Sequence, residues 1–425
     1  MSKMLTPAKG SDMFRLALLL LLIGQMFVYY DTATKTIPQI NLYLLINLLL
    51  ILLALVPWSV AARLLWLLVW PCGALARADW ILRPTNSDVF WATSQAVDFL
   101  LHGHNPYTQV YTWVYQHQPG IHDYPAYSYF PGALFAEVPF YLLGNVRWGL
   151  GLADLGTALL IYLLARDTLS IWPARAIAAF WLLFVPAFQV PLRLGALDFL
   201  LLFWIALAVW LYQRGRPMAS ALAAALAFST KQYGFLFALP WGILLLQPLW
   251  VALLARWRTG ERRVAGLVAL PWRLWLPVLT EVGGVALLVL PLALLSPQAF
   301  VDATIANHLA YLPDPMLGTP QWNQTLAAQV VALGGLSRID AGRLAGIIFP
   351  LLLGLVLLAA VWKIRDVATA LRWAALAAGV TLACNGVQTQ FFYWRLPLLL
   401  FLLYSCVGPT AGVRQGPTKP ISPGL

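Results

Sequence analysis

Apolar runs set the pattern of this chain. Stretches close to the ~20 mostly apolar residues that a helix needs to cross a bilayer recur near positions 14–30, 42–57, 60–76, 147–165, 173–190, 196–212, 217–230, 234–250, 274–295, 342–362, 368–384 and 394–408. The pattern predicts an all-α integral membrane protein with about twelve transmembrane helices, within a range of about 11–13. It reads as one polytopic domain over 1–425. Only Pro57 to Ser59 separate the second and third runs, and 217–230 is short. Two long stretches, 77–146 and 296–341, break the rhythm. Beyond Gly408 the apolar pattern stops, and 409–425, rich in Gly, Pro, Ser and Thr, reads as a disordered cytoplasmic tail.

Composition sharpens this picture. Hydrophobic residues make up 61% of the chain and charged ones 10%, against about 25% charged in soluble proteins. A soluble enzyme, a disordered regulator and a nucleic-acid-binding domain are all poor readings. The net charge of +11 is therefore sorted by side of the membrane. The short loops Gln213–Pro217 and Arg256–Arg263 are basic, which places them, and both termini, in the cytoplasm. Lys3, Lys9 and Arg15 flank an apolar run as in a secretory leader, but Tyr29-Tyr30-Asp31 stands where a small-residue cleavage site is needed. The segment reads as an uncleaved first span. Arg far outnumbers Lys, which points to a bacterial plasma membrane. Cys72, Cys384 and Cys406 match no metal or disulfide spacing and read as small buried hydrophobes.

With this sidedness both long stretches are external. They hold all five histidines (His102, His104, His117, His122, His308) and the acids Asp79, Asp88, Asp98, Asp123, Glu137, Asp302, Asp314 and Asp340, so chemistry belongs on the outer face. Pro84 to Ser87 is turn and N-cap chemistry. A helix should follow to about His102, ended by Gly103 and Pro106. Asp88, Trp91, Gln95, Asp98 and His102 fall on one face of it, opposite Val89, Phe90, Ala96, Val97, Leu100 and Leu101. This predicts an amphipathic helix lying at the membrane surface. Asp88 falls in the first turn, where the helix dipole favours an ionised carboxylate. It serves as a helix cap, as a general base, or as both. The aromatic run from Tyr111 to Tyr129 fits either an interfacial belt or sugar stacking. The His/Asp cluster here has only loose metal-ligand spacing.

These residues resemble a known family. Asp88, the helix after it and Gly103-His104-Asn105-Pro106-Tyr107 look like the D…G-x-N-P-Y opening of the GT-C integral membrane glycosyltransferases, in particular the polyprenyl-phosphate-mannose-dependent mannosyltransferases (glycosyltransferase family 87). Tyr129-Phe130-Pro131-Gly132-Ala133-Leu134 stands where that family has Y-P-P. Arg193 to Leu200 resembles R-x-G-Q-x-D/N-x-L, with Ala196 at the Gln position. Ala221 to Lys231 resembles the family's A-G-L…K helix, with Gly234 at its Pro position. Trp322-Asn323-Gln324-Thr325-Leu326 resembles the late N-Q-S-L element. The likeness runs in order over residues 80 to 330.

The resemblance implies a GT-C fold and a hexosyltransferase. It would move mannose or a related sugar from a polyprenyl-phosphate donor to a lipid or glycan acceptor on the outer face. It makes Asp88 the catalytic base, with Asp79, Asp98 and Asp123 as rivals. Such a reaction needs cations for the leaving phosphate, and Arg193, Lys231 and Arg395 are candidates; each also reads as a snorkelling anchor. Asn105, Tyr107, His308, Asn323 and Gln324 are candidate sugar or acceptor contacts. No Gly-rich nucleotide cradle and no D-x-D element occur, so a lipid-linked donor is expected, with no cofactor, no metal and no nucleic-acid partner. Two alternatives stand beside this reading: a multi-pass transporter or lipid flippase, whose acids would be Asp154 and Glu281 near the midplane, and a polysaccharide ligase or polymerase.

Overall fold

The computed structural model describes residues 7–33, 42–55, 59–85, 87–117, 127–184, 191–258, 271–306, 334–335, 338–384 and 395–407, with backbone alone at 7–9, 24–33, 42–45, 59, 338–349 and 382–384. All regular structure among the described residues is helical. The helices are α1 (Pro7–Ala33), α2 (Leu42–Leu55), α3 (Ser59–Leu82), α4 (Asp88–Leu101), α5 (Thr112–His117), α6 (Pro131–Leu142), α7 (Arg147–Thr168), α8 (Ile171–Leu183), α9 (Asp198–Gln213), α10 (Pro217–Thr230), α11 (Phe235–Arg258), α12 (Leu276–Leu295), α13 (Pro297–Val301), α14 (Arg338–Lys363), α15 (Val367–Cys384) and α16 (Arg395–Val407).

A helix answers each apolar run of the sequence; among the described residues, Val60–Leu82, Arg147–Thr168, Gln232–Arg258 and Leu276–Leu295 are long and apolar enough to cross a membrane. The chain is thus an α-helical protein with four candidate spans among the described residues. α8, α9, α10, α15 and α16 are shorter apolar helices. The boundaries also differ from the expectation. α3 runs six residues past 76 and carries Arg77 and Asp79 on its last turns. α11 continues through Pro248 to Arg258. The tail 409–425 lies outside the described residues.

Small residues build the centre of the bundle. α9 and α10 are joined by a tight reversal in which Gly215 adopts φ +70°, open to glycine because it carries no Cβ, and Pro217 starts the next helix. The buried Ala221, Ala223, Ala224, Ala225 and Ala227 of α10 let α9, α11 and α12 approach closely. Ser220, also buried, donates to the Ala208 carbonyl (2.8 Å) and accepts from Trp241 Nε1 (2.9 Å). α12 is different: it turns most of its surface outward and buries only Glu281 and Leu292.

A second, smaller core lies between α4, α6, the start of α9 and α13, around Tyr107, Tyr111, Tyr127, Ala96 and Phe300. α4 occupies the span the sequence predicts, with Gly103 following it at φ +76°. Its packing differs from that of a helix laid on a surface. Thr93, Ser94 and Gln95 are buried along with Ala92, Ala96 and Val97. Gln95 accepts from the Trp113 amide (2.9 Å) and donates to Thr112 Oγ1 (3.1 Å), which fastens α5 to α4. The polar face was available for burial because its amide finds partners inside the protein.

One ion pair fixes the middle of the bundle. Arg77 of α3 donates from Nε (2.8 Å) and Nη2 (2.5 Å) to Asp154 Oδ2 of α7, and from Nη1 to the carbonyls of Gly73 and Leu182 (2.9 Å each). Trp181 Nε1 of α8 donates to Asp154 Oδ1 (2.8 Å). Removing one partner of such a pair leaves a buried charge uncompensated and costs about 3–5 kcal/mol, whereas replacing both by apolar groups is close to neutral. Arg77→Ala is therefore expected to lower the thermal midpoint of the detergent-solubilised protein sharply, and the double variant Arg77→Met/Asp154→Leu to recover most of it. Equal midpoints for Arg77→Ala and the wild type would remove the pair from the scaffold.

Candidate active site

Four sequence-distant segments meet at one end of α9 and α10. Asp198 opens α9, and its buried carboxylate accepts a salt bridge from Lys231 Nζ, which caps the C-terminal end of α10, at 2.9 Å. Lys231 was expected as a cation for the donor phosphate; the structure shows that its charge is already shared with Asp198. Lys231 Nζ also lies 5.5 Å from the Tyr129 ring centroid and 5.9 Å from that of Tyr233. Arg395, at the start of α16, is fully buried, with its guanidinium 4.7 Å above the Phe199 ring. Asp198 and Asp154 are the carboxylates in its electrostatic reach. Arg193 is elsewhere: its side chain is exposed.

Asp88 is the first residue of α4 and is half-buried. Ser87 occupies the N-cap position, but its hydroxyl does not cap the helix. It donates instead to the carbonyl of Leu194 (2.7 Å), tying the start of α4 to the helical turn 191–194 that precedes Asp198. Tyr129 joins the two acids. Burial, followed by the Asp88 and Asp198 carboxylates and the Tyr233 phenol, pushes the Tyr129 hydroxyl well above the ordinary phenol range. Asp88, Asp198, Lys231, Tyr129 and Tyr233 thus form one cluster.

The other expected site residues are placed as supports or lie elsewhere. Asn105 Oδ1 accepts from the Tyr107 amide (3.1 Å). Tyr107 is buried, and its hydroxyl donates to the Tyr129 carbonyl (2.7 Å), so it holds the cluster's tyrosine from behind. His308, Asn323, Gln324 and Asp123 lie outside the described residues. The rival bases are otherwise engaged. Asp79 pairs with Arg83 at 2.6 Å, and Asp98 accepts from the Tyr141 hydroxyl (2.9 Å). His102 and His104 are exposed, while the exposed His117 stacks on Trp91 with ring centroids 3.5 Å apart. No group of three or more His, Cys, Asp or Glu able to hold a metal occurs among the described residues.

Aromatic packing and one glutamine seat the cluster. Phe130 stacks between Phe228 (5.6 Å) and Phe300 (6.0 Å). Gln232, next to Lys231, donates to the carbonyls of Ser128 and Thr304, the latter at 2.9 Å. It thereby joins the segment bearing Tyr129 to the short π-helical turn Asp302–Ala306. The sequence reading missed Asp198 and Tyr129 as members of the site. Both stand inside the motif-like stretches Arg193–Leu200 and Tyr129–Leu134, and a carboxylate in a row of apolar residues is the available signal for Asp198. The chain matches no family model and none of the curated proteins.

Glu137 of α6 stands apart from this cluster. It is fully buried, and neither carboxyl oxygen has a hydrogen-bond partner among the described residues. Burial pushes its carboxyl well above the ordinary value of 4.5. A carboxyl whose pKa is raised on folding contributes stability below its unfolded pKa and loses it as pH rises through the folded value. The thermal midpoint of the wild type is expected to fall as pH climbs above 4.5, and Glu137→Gln, which cannot ionise, is expected to flatten that fall. Parallel midpoint profiles for the two proteins would mean that Glu137 is solvated or paired in the fold.

Proposed function

We propose that this protein is a membrane glycosyltransferase that moves a hexose, mannose or a related sugar, from a polyprenyl-phosphate donor to a lipid or glycan acceptor at the Asp88–Lys231 end of the bundle. The observation that carries the reading is the convergence of a half-exposed carboxylate, Asp88, with a buried and mostly cationic cluster built from Lys231, Asp198 and Arg395. Tyr129 stands between them.

The division of labour follows from exposure and charge. Asp88 is the only member of the cluster that combines a carboxylate with partial access. It takes the proton of the acceptor hydroxyl as that oxygen forms its bond to the anomeric carbon. The bond from that carbon to the phosphate oxygen breaks, and the electron pair leaves with the polyprenyl phosphate. The growing phosphate charge is stabilised by Lys231 and Arg395, whose low-dielectric surroundings strengthen the attraction. Asp198 holds Lys231 in place and moderates its charge. The half-buried Tyr129 and Tyr233 give the sugar ring stacking partners. No bound metal ion or cofactor takes part in this scheme, and the active site is assigned to the outer face of a bacterial plasma membrane.

A transfer assay in nanodiscs tests the reading. Radiolabelled polyprenyl-phosphate sugars are offered with a membrane lipid extract as acceptor. Label is expected to pass to a new product with the wild type. Asp88→Asn is expected to lower turnover by about 10³-fold or more, because a positioned base contributes about 10²–10⁴-fold. Lys231→Ala is expected to raise the donor KM and also to lower kcat, since the lost charge acts on both ground state and leaving group. Undiminished transfer by Asp88→Asn would overturn the base assignment. Transport of donor across the bilayer without consumption would favour a carrier instead.

A further inference from the structure

Arg147, the first residue of α7, is 4% exposed and makes no contact with the charged cluster's side chains among the hydrogen bonds it forms. Its guanidinium donates from Nη1 to the carbonyl of Arg83 (3.0 Å) and, more weakly, to that of Arg193 (3.5 Å). Nε donates to Asn145 Oδ1 (3.2 Å), and the guanidinium carbon sits 4.8 Å over the Phe90 ring. Asn145 is itself fixed: Oδ1 also accepts the Arg147 amide (3.0 Å), and Nδ2 donates to the Ile81 carbonyl (3.3 Å).

The two carbonyls belong to matching places in the chain. Arg83 follows α3 and stands five residues before Asp88, and Arg193 lies in the helical turn 191–194 and stands five residues before Asp198. Each turn runs into a helix whose first residue is a carboxylate. The same turns meet twice more. Ser87 Oγ donates to the Leu194 carbonyl at 2.7 Å. Gly195, at φ +70°, lies so close to Phe90 that a Cβ there would stand 3.1 Å from the Phe90 Cα and Cβ.

We propose that Arg147 is a positioning residue which sets the distance between Asp88 and the Asp198–Lys231 pair by bridging the backbone of the turns that precede the two acids. The proposal rests on the transferase reading and deepens it: Arg147 touches no reacting atom and acts through the two turns. The physical basis is the rigid planar fork of a guanidinium, which can serve a carbonyl and an amide oxygen in fixed relation while its face rests on an aromatic ring. A lysine ammonium is a single point on a flexible stem and does not reproduce this. Loss of the bridge lets either turn rotate about its helix start, which moves the carboxylate on the first turn. A misplacement of about 1 Å at a reacting group costs about 10²-fold in rate.

The test uses the full-length protein in nanodiscs, comparing wild type, Arg147→Lys and Ser87→Ala. Amide hydrogen exchange is followed over 83–90 and 192–198, with the far end of α7 near Ala165 as internal reference. Arg147→Lys is expected to speed exchange in both turns together and leave the reference unchanged. In the transfer assay it is expected to lower kcat by about 10²-fold and to leave the donor KM within about threefold, since ground-state donor binding is untouched. Ser87→Ala, a milder change at the same junction, is expected to shift both readouts in the same direction by less, and it carries the test should Arg147→Lys fail to fold. Unchanged exchange in the 192–198 turn, or a rise in KM with kcat unaltered, would overturn the proposal. The exchange measurement decides the bridge even where no donor is turned over, so failure of the transferase reading and failure of the bridge give different results.

Discussion

The carboxylate of Asp198 is the point on which the inner architecture turns. It is buried, and one of its oxygens accepts from Lys231 at 2.9 Å. Arg395 lies within electrostatic reach of Asp154 and Asp198, and Asp154 is bound by Arg77. Charges of opposite sign therefore alternate from α10 to α9, α16, α7 and α3. Burying any one of them alone would be costly, and the salt bridges tie α10 to α9 and α3 to α7. Such a chain contributes little net stability relative to well-packed apolar residues. Its physical consequence is different: it allows the charges of Lys231 and Arg77 to be buried, each beside a carboxylate.

The second core explains why the cluster has a neighbour of the opposite character. α4, α6 and α13 enclose the buried phenols Tyr107, Tyr111 and Tyr127, and the Tyr107 hydroxyl reaches forward to the carbonyl of Tyr129. Gln232 ties that same segment to the residue after Lys231's helix and to Thr304. Tyr129 is thereby fixed over Lys231 from two directions. Asp88, by contrast, is left half-buried at a helix start, where the dipole supports its charge and a hydroxyl can still reach it. Two carboxylates of the same type, Asp88 and Asp198, thus receive different environments. One is committed to a salt bridge and one is accessible.

Much of this was legible in the sequence, and the illegible part has a common cause. The apolar runs located the helices because burial or lipid contact demands continuous apolar surface. The Pro84–Asp88 start and the Gly103 end of α4 followed from local turn chemistry. Span lengths were less legible: α3 continues past its apolar run because Arg77 and Asp79 find partners in Asp154 and Arg83, and no local pattern announces a partner 77 residues away. The burial of Gln95 and the commitment of the Ser87 hydroxyl to Leu194 depend on tertiary contacts in the same way. Within the candidate site, Lys231 and Arg395 stand out in the sequence as ionisable residues beside apolar runs, and Asp88 as the acid in the first turn of a helix. Asp198 and Tyr129 were visible as motif members, but only the fold brings them to Lys231. Tyr107 looked like a surface contact, and the fold made it a support.

Charge counting gives the proposed reaction its internal consistency. Among the described residues the cluster holds three cations, Lys231, Arg395 and Arg77, against two carboxylates, Asp198 and Asp154. With Asp88 counted as well, the charges of the site balance, and a sugar phosphodiester brings one further negative charge. Transfer releases a phosphate monoester with a further negative charge, while Asp88 becomes neutral by taking the acceptor's proton. The total charge of the site is then the same before and after, and the reaction moves negative charge from the accessible end at Asp88 toward the buried cations. Cations already oriented in a water-poor interior stabilise the charge developing on the phosphate without reorganising as it arrives. The salt bridge to Asp198 is compatible with this role. It places a carboxylate beside Lys231, so the cation can be buried at all.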